Sequence, residues 1–280
     1  MKKFLLGSVA FVALTAGGPA GAADLRTPVL KAPPVAAPAA FNWSRCYVGG
    51  HVGYGWGKDT NAFGTAVRSG PTEELGAAFD SEFGPFNHKT KGGVAGGQVG
   101  CNYQWAPNWL VGVEGELFWS GMKGQFTAPE DGGGVGDPGT FSRFESRNRW
   151  DADLALRFGF VAGSSLFYAK AGVALGSFRY IETHDDFPTT HACPGQAIVG
   201  NQVINGQCSV TLSQTKTGWL VGLGVEHVLS IPNWTVKAEW NYIDYGTHTL
   251  AYPSAAAAIQ SFPVKDTKNI LKVGLNFYFP

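Results

Sequence analysis

Six acids and four bases recur at alternate positions along this chain, and their spacing limits the chemistry open to them. Glu114, Glu116, Asp151, Asp153, Glu226 and Glu239 stand against Arg157, Lys170, Lys237 and Lys272. Within each segment these residues lie two apart or a multiple of two, which gathers them on one face of an extended chain. Charges converging on one face can line a polar passage, or pair with one another into a closed network that fills it. Buried charges are tolerated only when paired and hydrogen-bonded, so a narrow enclosure favours the network.

Other chemistries have less behind them. His51, His88, His184, His191, His227 and His248 are scattered, and none has ligand spacing backed by Cys or carboxylates, so no metal site is expected. The run Gly132 to Gly134 follows no strand and precedes no Lys-Ser/Thr, so it reads as a surface loop and no cofactor is expected. No Ser occupies a nucleophile elbow and no spacing nominates a His partner. Catalytic residues are therefore not expected, and an outer-membrane lipid hydrolase is the remote alternative.

The elements that position the charges are strands. In Leu271 to Phe279, Leu271, Val273, Leu275, Phe277 and Phe279 alternate with Lys272, Gly274, Asn276 and Tyr278, the period of a strand. The pattern recurs over Cys46–Trp56, Val94–Trp105, Trp109–Trp119, Trp150–Phe160, Phe167–Gly176, Gly218–His227 and Trp234–Tyr242. Connections alternate long and short, the short ones being tight turns near Pro107, Gly163 and Pro232. Antiparallel neighbours joined this way place the short turns at one end and the long loops at the other. The expectation is an all-β fold: an eight-stranded antiparallel up-and-down transmembrane β-barrel with four long outer loops and three short periplasmic turns.

Alternation alone does not say which face meets lipid, and a soluble barrel of lipocalin type is the competing reading. Two features oppose it. The polar faces are rich in Gly, which suits a crowded interior better than a solvated exterior. Eight Trp fall at strand ends or flanking turns: Trp43, Trp105, Trp109 and Trp234 at the short-turn end, and Trp56, Trp119, Trp150 and Trp219 at the long-loop end. Two aromatic rings are the belts of a membrane protein. Charged residues are only 15% and the net charge is zero, so no basic stripe for nucleic acid is present.

The start of the chain reads as an export signal. Lys2 and Lys3 precede an apolar run to Ala16, and Ala20-Gly21-Ala22 is a small-residue cleavage site. Residues 1–22 are expected to be a secretory signal, 23–41 a Pro/Ala-rich periplasmic linker, and 42–279 the barrel. Export makes disulfides possible. Cys193 and Cys208 share one polar loop and are expected to pair, while a Cys46–Cys101 bridge depends on a register the sequence does not give. Val273→Arg or Leu154→Arg is expected to impair folding, and the inward exchange Asn276→Ser is not.

Several stretches carry a resemblance. The signal ending GAADL, the Pro/Ala linker, FNWSRCYVGGHVGYGWG, GGQVGCNYQ, VGVEGE, LVGLGVEH, NWTVKAEWNYID and the closing LKVGLNFYF resemble the alpha-proteobacterial small outer-membrane β-barrel proteins, RopB-like and often called porin family. Two departures stand out: Pro280 follows the terminal aromatic Phe279, and Cys46 and Cys101 occupy positions where aromatics are expected. The resemblance implies the cell outer membrane, reached by export across the inner membrane. It also implies the barrel-assembly machinery, reading Phe279, and outer-membrane lipid with lipopolysaccharide as partners. Because eight strands leave an interior only wide enough for side chains, the favoured role is structural or surface-interaction. A small-solute porin is the alternative.

Overall fold

A computed structural model describes residues 41–61, 67–69, 86–129, 141–184, 208–253 and 259–280. The proposed signal, nearly all of the linker, the glycine run and Cys193 lie outside the described residues, as does the side chain of Cys208; their expected disulfide therefore lies there too.

The described strands are β1 (Cys46–Asn61), β2 (Val67–Ser69), β3 (Phe86–Ala106), β4 (Trp109–Ser120), β5 (Lys123–Pro129), β6 (Phe141–Ala162), β7 (Ser165–His184), β8 (Cys208–Val228), β9 (Trp234–Pro253) and β10 (Ile259–Tyr278). Neighbours run in the order β1-β10-β9-β8-β7-β6-β4-β3, and β3 pairs back onto β1, which closes a ring of eight antiparallel strands. The other two strands are accessories. β5 takes over the place of β4 between β3 and β6, and β2 edges β10.

The faces follow the alternation. Leu156 is 71% exposed and Trp119 63%, whereas Glu114, Glu226 and Lys272 are 0% exposed. Apolar side chains outside and charges inside are the inverse of a soluble fold, and lipid is the solvent that makes it stable.

Strand length places the membrane. β7 to β10 each have 20 or 21 residues, while a tilted membrane strand needs about 9–11. The span lies between Trp105, Trp109 and Trp234 at one end and Trp56, Trp119, Trp150 and Trp219 at the other, all exposed outward. Beyond the second belt the strands continue as a rim outside the membrane. The connection between β9 and β10 is correspondingly short, from Pro253 to Ile259.

Trp43 corrects the expected belt. It is 1% exposed, because the chain crosses the barrel mouth before entering β1 and the indole finds apolar surface there. Its ring lies edge-on to Tyr278 with centroids 5.8 Å apart.

Cys46 and Cys101 are direct register partners on β1 and β3 and form a disulfide, with Cα atoms 3.9 Å apart.

Candidate functional site

The interior is filled in layers. At the short-turn mouth, Phe41, Trp43, Tyr47 and Tyr278 form an aromatic stack with neighbouring centroids 4.9 to 5.8 Å apart. Leu110, Val161, Leu166 and Tyr168 complete this apolar floor. Inward glycines make room for the large rings: a Cβ on Gly100 would stand 2.4 Å from the Tyr47 hydroxyl, and one on Gly224 would stand 2.3 Å from the Tyr168 ring. The Gly-rich inner face thus holds neighbouring side chains in the space it vacates.

Arg157 centres the next layer. Its guanidinium lies 3.8 Å from the Tyr168 ring centroid, a cation–π contact. It donates to Glu226 at 3.0 Å and to the Tyr47 hydroxyl, and its other ion pair is Glu114 at 3.4 Å. Glu226 also accepts from Thr235 at 2.5 Å, Asn276 at 2.8 Å and Tyr278 at 2.9 Å. Tyr47 donates to Glu114 at 2.6 Å.

Three lysines meet three glutamates above it. Lys170 reaches Glu239 at 2.8 Å and both Glu114 and Glu116 at 3.2 Å. Lys237 reaches Glu116 at 3.0 Å and Glu114 at 3.3 Å. Lys272 pairs with Glu239 at 3.0 Å and with Glu116. Oxygens of Glu114, Glu116 and Glu239 lie within 4.8 Å of one another, a spacing a cation site can have, and the ammonium groups hold that place. Asp153 is the loosest member, 3.9 Å from Lys170 with neither carboxylate oxygen hydrogen-bonded.

Asp151 stands apart from this cluster. It accepts from Tyr245 at 2.5 Å and pairs with Lys268, which also donates to Asn148 at 3.2 Å. Beyond it Asp266 pairs with Lys216 and accepts from Tyr180 at 3.1 Å. Phe144, Phe178, Tyr180 and Tyr245 cover this outer layer. A void of ≈ 10 Å³ between Asp59, Ser146, Asp266 and Lys268 has room for about one water.

The sequence reading did not name Lys216, Asp266, Lys268, Asp59, His88 or Ser146 for this outer layer. Its signal was present in β10, where Val264, Asp266, Lys268, Ile270 and Lys272 are all buried at a period of two.

One constellation touches on hydrolysis. His88 Nε2 lies 2.7 Å from Ser146 Oγ and 3.1 Å from Asp59, while Ser146 donates to Asp59 at 2.5 Å. A nucleophilic triad puts the carboxylate on the other ring nitrogen; here one nitrogen faces both partners and the hydroxyl proton is held by the acid.

With this geometry in view, residues 28–279 match the family described as outer membrane protein beta-barrel domain. The chain belongs to this family. The protein is an outer-membrane β-barrel of the cell envelope. Two relatives are outer-membrane proteins by name, in keeping with the alpha-proteobacterial resemblance. It is 27% identical to the 31 kDa outer-membrane immunogenic protein of Brucella melitensis, over 100% of both chains. It is 26% identical to the 22 kDa outer membrane protein of Rhizobium leguminosarum, over 73% of this chain and 76% of that one. Among solved structures, OprG of Pseudomonas aeruginosa aligns at 11% identity and a TM-score of 0.44, covering 85% of this chain and 97% of that one. Ail of Yersinia pestis aligns at 13% and 0.32, over 81% and 99%.

Proposed function

We propose that this barrel is a closed scaffold that anchors its outer rim and loops at the cell surface, with a structural or surface-interaction role. It is not a conduit for solutes and not an enzyme. The observation that supports this reading is the continuous filling of the interior: the aromatic floor, the Arg157 layer, the lysine–glutamate layer and the outer layer succeed one another along the axis. A porin keeps water on its axis, whereas the axial side chains here, from Tyr47 and Arg157 to Lys272, are buried and bonded to one another. The shared Nε2 contacts of His88 speak against the hydrolase. In this reading the surrounding partners are outer-membrane lipid and lipopolysaccharide, and the barrel-assembly machinery reads Phe279, whose side chain is exposed.

Liposome swelling tests the proposal. Proteoliposomes carrying folded protein should swell in isotonic small sugars or amino acids no faster than protein-free vesicles. Rapid swelling would move the protein to the transporters.

A further inference from the structure

The outer rim carries a second charge pattern, on its outside. Lys91 on β3 is the direct register partner of Lys123 on β5, Lys123 of Arg147 on β6, and Arg147 of Arg179 on β7. Four bases therefore stand side by side across four adjacent strands, about 4.8 Å from one strand to the next. Lys58 on β1 and Lys89 on β3 form a further direct like-charged pair just above. All six point outward, and all but the half-buried Arg179 are exposed.

Like charges directly opposite one another destabilise a sheet, and little here offsets them. Among the described residues the row meets one carboxylate, Glu145, which grips Arg147 at 2.6 and 3.0 Å. The wall of β8 to β10 is different. There the outward residues are Ser213, Thr215 and Thr217 on β8 and Thr247 and Thr249 on β9, while Lys265 on β10 is paired with Asp244 at 3.3 Å. Among the described side chains the basic row has no counterpart on β8 to β10.

Its height is fixed by the belt. Lys91 is the register partner of Trp56, and Arg147 lies just past the bulge that precedes Trp150. Belt tryptophans sit at headgroup level, so the row faces the headgroup layer of the outer leaflet. Directly below it lie exposed Trp119 and Leu117 on β4, Leu154 on β6 and Leu175 on β7. A basic row above an apolar wall matches the shape of a lipid, with its anionic headgroup over its acyl chains, and not that of a free anion.

We propose that the row Lys91–Lys123–Arg147–Arg179, flanked by Lys58 and Lys89, binds the phosphate groups of a phosphorylated glycolipid of the outer leaflet. Guanidinium groups donate to two phosphate oxygens at once and the lysines act as point charges, so a bisphosphorylated headgroup turns mutual repulsion into shared attraction. The acyl chains of the same lipid lie on the apolar wall beneath. This site rests on the outer-membrane placement and is independent of whether the interior is closed.

The test uses folded full-length protein in phosphocholine nanodiscs, titrated with bisphosphorylated lipid A, with bound lipid counted by native mass spectrometry. Wild type should bind lipid A at least roughly tenfold more tightly than its dephosphorylated form. The variant Lys91→Gln/Lys123→Gln/Arg147→Gln/Arg179→Gln should lose that preference, whereas Thr249→Gln on β9, away from the row, should keep it. The unfolding temperature should change sign with the medium: the fourfold variant should be the more stable in neutral detergent and the less stable with lipid A. Should the fourfold variant fail to fold, judged by heat-modifiable migration, Lys91→Gln/Lys123→Gln carries the same comparison. Equal lipid A binding by wild type and variant overturns the proposal. Displacement of lipid A by millimolar inorganic phosphate also overturns it, because the site would then belong to the free anion.

Discussion

Lys272 Nζ lies 3.0 Å from Oε1 of Glu239, its direct cross-strand partner on β9. The pair ties the carboxy-terminal strand into the interior network, and Lys272 also reaches Glu116 on the far wall. β10 is thereby joined to β9 and to β4.

The network makes its members unequal. Glu116 bonds three ammonium groups, whereas Asp153 is held by one ion pair at 3.9 Å. Glu116→Gln leaves buried lysines short of a counter-charge and should cost about 3–5 kcal/mol. Asp153→Asn removes a poorly paired acid and should be neutral or stabilising. Urea unfolding of both variants in lipid vesicles checks the contrast, and equal losses would contradict it.

The lipid face gives a second expectation. Leu154 and Val273 are exposed outward near mid-span, so an Arg at either should cost about 2–4 kcal/mol. Asn276→Ser, expected not to impair folding, should still cost stability. Asn276 accepts from Gln98 at 2.7 Å and donates to Glu226 at 2.8 Å, and a shorter Ser cannot span both. The loss should be about 1–3 kcal/mol, with the folded band on an unheated gel still present.

Strand parity was legible because inside the membrane every second residue must be apolar. Beyond the belt the outside faces water, and the contrast disappears: Thr211, Ser213 and Thr215 point out while Leu212, Gln214 and Lys216 point in. The alternating pattern therefore stops at the tryptophans, and Lys216, Asp266 and Lys268 lie beyond it. Trp43 was misplaced for another reason. A Trp before the first strand can reach the belt or the mouth, and periodicity does not distinguish them. Likewise the inward glycines indicate a crowded interior, but not that the rings of Tyr47 and Tyr168 are what crowd it.

Acid should tighten the outer rim. Asp266 stands three residues beyond Asn269, the register partner of Trp56, and so outside the membrane band. Burial, reinforced by nearby Asp59 and opposed by Lys216, raises its carboxyl to about 7. A carboxyl raised on folding contributes stability that is full below the unfolded value near 4 and lost as pH rises through 7. Protease nicking of the rim should be slower at pH 5 than at pH 8, and Asp266→Asn should flatten that difference. A wild-type profile matching that of Asp266→Asn would contradict this.

Current through single molecules tests the closed interior most directly. Purified, heat-modifiable monomer inserted into a planar bilayer should give no steady conductance, and at most small irregular openings, since Arg157 and its partners fill the axis. Reproducible open steps in the wild-type protein, with an ion selectivity that Glu114→Lys alters, would contradict the account.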